Sequence, residues 1–222
     1  MATATGTDTT VYPTSDGQPV AETDDHRELM FDVIPLLAEW FADDPDVYVS
    51  GNLFVYFEKG KPQRVLAPDA FVAFGVEKRR RKSFKTWVEE VFPSVVFEFT
   101  SASTSREDLG EKFKTYQDVW RVKEYFLFDP LDEYLDPPLL GYRLTKGKLQ
   151  PIRMVKGKLT SKELGITIER DGAELILRDA KTGRRLQTAE GKQRAQAERR
   201  ATALEAENDR LKAELDALRK TK

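Results

Sequence analysis

The chain has 222 residues, with 36 Lys and Arg against 38 Asp and Glu, a formal charge of −2, no Cys and one His. These counts exclude a disulfide framework, a Cys/His zinc site and a cysteine nucleophile, and leave a single imidazole for general-base work. A catalytic site would have to be made of carboxylates, Lys or Arg, hydroxyls and a hard metal ion.

Residues 1–25 are acidic, Thr-rich and turn-prone, and read as a flexible arm that folds partly onto the body. The first 26 residues contain no Lys or Arg, so they lack the basic start of a secretory leader. No apolar run approaches the ~20 residues of a spanning helix, so a cytoplasmic protein with no membrane partner is expected. His26 follows Asp24 and Asp25 and reads as a surface or capping residue. Residues 26–187 hold nearly all the aromatics and form the expected globular domain.

Leu29, Val33, Leu36, Leu37, Trp40 and Phe41 fall on helical spacing, with Pro35 predicted to kink that helix or mark its start. Val47 to Val49 and Leu53 to Phe57 are predicted strands, split by a Gly51-Asn52 turn signal. Further strands are expected at Phe71 to Val76 and Val95 to Thr100. Residues 105–119 read as a helix with Ser105 as N-cap and Asp108 three residues later. Tyr125 to Phe128 is a buried-looking strand, and hairpin signals follow at 144–150 and around Asp171-Gly172. This order predicts an α/β (α+β) domain with a mixed central sheet flanked by helices.

Alternation in VVFEFTS (95–101) sets Val95, Phe97 and Phe99 on one face and Val96, Glu98 and Thr100 on the other. Glu98 either lies in water on an edge strand or is buried with a cation, a metal or a raised pKa. Asp69 opens another apolar run after Pro68, where a lone Asp is ordinarily a turn residue. Lys112 and Tyr116 share a helical face, and Asp108 lies one turn before Lys112, an ordinary i,i+4 pair by itself. An Asp opening one strand, a Glu within the next and a Lys nearby is the layout of a nuclease core. Two such carboxylates can hold Mg²⁺.

Here the sequence resembles the Uma family of restriction endonucleases, within the PD-(D/E)XK nuclease superfamily. The matching segments are SDGQPVAET, VYVSGNLFVYFEKGKPQRVLAPDAFVAFGV, VVFEFTSASTSREDLGEKFKTYQDVWRVKEYFLFDP and PPLLGYRL. The resemblance implies a restriction-endonuclease-like fold and a Mg²⁺- (or Mn²⁺-) dependent endonuclease acting on DNA. It implies Asp69 and Glu98 as metal ligands, with Lys112 completing the catalytic set. Thr100 stands where the generic motif has Lys, and Lys112 is its replacement from the helix. Lys114, Gln117, Asp108, Tyr116 and a first-helix acid, Glu28 or Glu39, are accessory candidates. The alternative is a catalytically inactive nuclease-like module that binds DNA or protein.

The run EKRRRKSFK (77–85) presents Lys78, Arg79, Arg80, Arg81, Lys82 and Lys85 as a DNA-binding patch or as a solvated loop. Residues 188–222 lack aromatics and Pro, contain sixteen charged residues, and read as one long helix. Its seam is Leu204, Asn208, Leu211, Leu215 and Leu218, spaced 4, 3, 4, 3. The flanking pairs Arg200–Glu205, Glu207–Lys212 and Glu214–Arg219 are of opposite sign. This is the pattern of a parallel homodimeric coiled coil, with an amphipathic single helix as the alternative.

Overall fold

The structure is a computed structural model, and it describes residues 10–14, 24–101 and 104–220, with the side chains of 24–26 and 213–220 outside the description. His26, Leu215 and Leu218 therefore fall outside the described side chains. The chain divides into two units, 1–186 and 187–222.

In the first unit α1 (Asp24–Trp40) precedes β1 (Val47–Ser50), β2 (Val55–Tyr56), β3 (Val65–Leu66), β4 (Ala70–Phe74), β5 (Phe84–Lys85) and α2 (Thr86–Glu89). Then come β6 (Val95–Phe99), α3 (Ser105–Asp108), α4 (Glu111–Lys114) and a π-helical turn (Thr115–Trp120). The unit closes with β7 (Glu124–Phe128), β8 (Leu139–Thr145), β9 (Lys148–Pro151), β10 (Lys158–Ser161), β11 (Ile166–Asp171) and β12 (Glu174–Asp179). A six-stranded sheet has the order β1-β4-β6-β7-β8-β9, and two three-stranded sheets are ordered β10-β11-β12 and β3-β2-β5. In the large sheet β6 and β7 run parallel and all other neighbours are antiparallel. The expected mixed α/β architecture is present.

α1 runs through Pro35. It buries Leu29, Met30, Val33 and Leu37, which recur at 3.6-residue spacing, against Val95, Phe97, Phe99, Phe126 and Phe128 of the large sheet. Leu159, Ile166, Ile168, Leu175 and Leu177 of the β10-β11-β12 sheet complete the same core. A second core on the opposite face joins Phe71, Val96, Tyr125 and Leu127 to Tyr116 and Trp120 of the π-helical turn and to Val55 and Phe84 of the smallest sheet. The alternation in β6 thus sorts Val95, Phe97 and Phe99 from Val96.

Two buried carboxylates hold this arrangement together. Glu124 is fully buried and accepts from Arg143 Nε at 2.8 Å, the Lys162 N–H at 3.0 Å and the Ser161 hydroxyl, tying β7 to the end of β10. Asp129, just after β7, accepts five backbone N–H bonds from Leu131, Asp132, Glu133, Tyr134 and Leu135, which shapes the loop before β8. A charge buried this deeply is tolerated because its lone pairs are satisfied.

Two local expectations need correction. Gly51-Asn52 is no hairpin turn: β2 is only Val55–Tyr56 and pairs with β3 and β5, not with β1. The Asn52 N–H bonds the Pro68 carbonyl at 2.8 Å, and a Cβ on Gly51 would sit 2.0 Å from the Asp69 carbonyl oxygen. The dipeptide therefore carries the chain from one sheet to another across the start of β4. The single helix expected over 105–119 is broken at Gly110, whose ψ of −98° is not helical, and continues as α4 and a π-helical turn. Its N-cap is Thr104 rather than Ser105.

The second unit is one helix, α5 (Ala189–Lys220). The Thr188 hydroxyl accepts the Gly191 N–H at 3.1 Å at its start. Leu204 and Leu211 are 60% and 49% exposed, so the described part of the seam is open. No described helix is long and apolar enough to cross a membrane.

Candidate functional site

The pairing of β4 with β6 sets Ala70 opposite Phe97. One step further along that register, Asp69 lies opposite Glu98, on the face opposite Phe97. Directly opposed residues in antiparallel strands have Cβ atoms about 4.5–5.5 Å apart. One Asp69 carboxylate oxygen accepts the Phe99 N–H at 2.6 Å, which pins Asp69 to β6. β6 is a central strand and Glu98 is 1% exposed, so Glu98 is not an edge residue in water.

The chain after β6 folds back over this face. Lys112 Nζ on α4 donates to Glu98 Oε2 at 3.1 Å and to Asp108 Oδ1 at 2.9 Å. The Tyr116 hydroxyl donates to Glu98 Oε1. Tyr125, on β7, donates to the Asp108 carbonyl at 3.0 Å and so anchors α3 over the sheet. With the Gly110 break and the π-helical turn, Asp108, Lys112 and Tyr116 all reach the Glu98 cluster. π-Turns of this kind are often found at functional sites.

Burial pushes the Glu98 carboxyl up strongly; Lys112 opposes this, and the charges of Asp69 and Asp108 add to it. Burial likewise raises Asp108, against the attraction of Lys112 and the Thr104 hydroxyl. Burial alone would lower Lys112, but the fields of Glu98, Asp108 and Asp69 outweigh it and hold the side chain as an ammonium. Buried Tyr116 is raised as well and remains a donor. Three carboxylates against one ammonium give a formal −2 when all are ionised, an unfavourable sum in a buried site that a divalent cation would relieve.

Two buried oxygens at this end of the sheet, Asp108 Oδ2 and Thr100 Oγ1, lack a hydrogen-bond partner among the described residues. Unsatisfied buried oxygens beside paired carboxylates suit a hard cation or its water shell. Among the described residues no group of three or more His, Asp or Glu side chains is placed to hold a metal ion. Mg²⁺ does not require such a group, since it is commonly held by one or two carboxylates and keeps several waters. The residues present fit such an ion.

The other accessory candidates lie elsewhere. Lys114 is exposed. Gln117 is spent on structure, its carbonyl accepting the Leu149 N–H at 3.0 Å and its amide donating to Asp118. Glu28 and Glu39 are on α1, which packs on the opposite face of the sheet.

The basic run is divided in its roles. Arg81 has a 1%-exposed side chain, donates to both Glu89 oxygens at 2.8–2.9 Å and lies 4.2 Å from the Tyr48 ring centroid. Arg79 also bonds Glu89 at 2.8 Å. Lys78 Nζ caps the carbonyls of Phe41 and Ala42 beyond α1. Lys85 sits over the Tyr12 ring, in a segment where Pro13 accepts the Tyr56 hydroxyl. Arg80 and Lys82 are exposed with no described protein partner. Sequence reasoning missed Glu89 as the partner of this run, although an acid eight residues after Arg81 was its only available signal.

A family model described as "Uma2: Putative restriction endonuclease" matches residues 7–171. Among solved structures the chain is similar to the crystal structure of a putative nuclease belonging to DUF820 from Anabaena variabilis ATCC 29413. The identity is 12% and the TM-score 0.47, over 64% of this chain and 75% of that chain. No curated protein matches the chain.

Proposed function

Since the chain belongs to the Uma2 family of putative restriction endonucleases, we propose that it is an endonuclease that hydrolyses DNA phosphodiester bonds at the Asp69, Glu98 and Lys112 centre. The observation that carries this reading is the cross-strand placement of Asp69 and Glu98, with the Lys112 ammonium 3.1 Å from Glu98. Asp69 and Glu98 would hold Mg²⁺ or Mn²⁺, with Asp108 Oδ2 available to the ion or its waters. When bound, the ion would polarise a phosphodiester oxygen and make water a better nucleophile.

The protein's own groups do the rest. Lys112 donates to a phosphoryl oxygen and stabilises the charge that develops there, a role for which a preorganised buried ammonium is well suited. Asp108 holds Lys112 in place from the preceding turn. Tyr116 fixes the Glu98 carboxylate by occupying one of its oxygens. Arg80 and Lys82, the uncommitted part of the basic run, are the groups proposed to meet DNA phosphates. The open Leu204, Asn208 and Leu211 seam of α5 supports a homodimeric coiled coil that would bring two such centres to one duplex.

A second reading is a catalytically inactive DNA- or protein-binding module. It is favoured by one observation: Lys112 already neutralises part of the carboxylate cluster. Plasmid nicking separates the two. Wild-type protein with Mg²⁺ or Mn²⁺ is expected to nick supercoiled DNA, and EDTA, Asp69→Ala or Glu98→Ala to abolish it. Equal residual nicking by all three proteins would refute the site assignment.

A further inference from the structure

α1 and the Gly51-Asn52 crossover enclose a hollow of about 390 Å³, lined by Arg27, Met30, Phe31, Ile34, Pro35, Gly51 and Asn52. Its walls are mostly apolar, and its size is within the ~300–1,000 Å³ of small-ligand sites. Phe31 is 72% exposed although it stands on the helix that fills the core. An aromatic ring left this open beside a cation resembles the platforms on which nucleic-acid bases stack.

The hollow and the candidate catalytic centre share the Gly51-Asn52 loop, although none of Asp69, Glu98 and Lys112 lines the hollow. Gly51 is wedged between the Asp69 carbonyl and Ile34 Cδ1, at 2.0 and 2.6 Å from where a Cβ would lie. The next residue, Asn52, is bonded to Pro68. One loop thus forms both the wall of the hollow and the support of Asp69. Glu98 lies on one face of the sheet and the hollow on the other, with this loop turning the rim between them.

We propose that the hollow is a subsite for an unpaired nucleobase of a strand whose phosphate lies at the Asp69–Glu98 centre. This rests on the phosphodiester reading of that centre. The base would stack on Phe31 over a floor of Met30, Ile34 and Pro35. The Asn52 carboxamide would meet a base edge, and the Arg27 guanidinium an adjoining phosphate. Because stacking tolerates every base, the subsite favours unpaired or everted bases without selecting among the four.

The test is equilibrium binding of fluorescent single-stranded DNA to the full-length chain carrying Glu98→Gln, with and without Phe31→Ala. The exposure of Phe31 makes a folding defect unexpected, and an unchanged melting temperature checks this. Phe31→Ala is expected to weaken binding of the base-bearing strand about tenfold and to leave binding of an all-abasic strand unchanged. Equal affinity of both proteins for the base-bearing strand, or an equal loss on both strands, overturns the proposal. Nicking by the Glu98-containing proteins is measured in parallel. Absent nicking with a base-dependent loss of binding would refute the nuclease reading alone. Normal nicking with no base-dependent loss would refute the subsite alone.

Discussion

Arg81→Ala should destabilise the protein rather than act only through the proposed contact with DNA. The side chain is 1% exposed, makes two charge-assisted bonds to Glu89 at 2.8 and 2.9 Å, and bonds the Glu77 and Arg79 carbonyls at 3.0 Å. Its removal leaves Glu89, 9% exposed, with Arg79 as its remaining described partner. Removing one member of a buried pair costs ~3–5 kcal/mol, and because Arg79 stays on Glu89 the low end, about 3 kcal/mol, is expected. At about 2–4 °C per kcal/mol for a domain of this size, the melting temperature should fall by about 6–12 °C. Thermal unfolding of Arg81→Ala, Glu89→Ala and the double variant measures this. The double variant should lose clearly less than the sum of the singles. Arg80→Ala and Lys82→Ala should leave the melting temperature unchanged while weakening DNA binding, each lowering its salt slope by about one. An Arg81→Ala protein as stable as wild type, with DNA affinity reduced like that of Arg80→Ala, would refute the division of the basic run.

Other outcomes follow from the same geometry. Gly51→Ala places a methyl group where the Asp69 carbonyl stands, so the start of β4 must move; an overpacking cost of ~1–3 kcal/mol and at least about tenfold slower nicking are expected, and unaltered kinetics would contradict the supporting role of the loop. Hydrogen bonding by Arg81 holds the Glu89 carboxyl below its ordinary 4.5, against its burial and with the help of the Arg81 and Arg79 charges. Its contribution to stability is therefore complete above the unfolded carboxylate value and lost as pH falls through the depressed folded value. Acid titrations of stability for wild type and Glu89→Gln should diverge above that window and converge below it. A chain ending near Thr188 should sediment as a monomer and the full chain as a dimer; a truncated dimer of unchanged stability would remove the coiled-coil assignment.

The sequence exposed the large sheet well where a strand alternates between two packed faces and one of them carries an acid. In β6, alternation alone separated Phe97 and Phe99 from Glu98, because a period of two is a direct consequence of the pleat. Asp69 was legible as a strand-opening acid, but its position opposite Glu98 is a matter of register between strands that sequence does not state. The Asp108 and Lys112 pair looked like any solvated i,i+4 pair. Its burial comes from the break at Gly110 and from Tyr125 reaching across from β7, both tertiary effects. The basic run was misleading for a similar reason: Arg81 is buried by Tyr48 and Glu89, which composition cannot bring together. Gly51-Asn52 carried a turn signal, yet the dipeptide is used where the backbone passes close to Asp69.

The central claim is that Asp69 and Glu98 together hold a divalent cation. Calorimetric titration of the full-length protein with Mn²⁺ tests it most directly, with Asp69→Asn and Glu98→Gln as variants of matched size that remove the negative charge. Saturable binding by wild type that is lost in both variants is the predicted result. Binding of equal strength in all three proteins, or none in wild type, would contradict it.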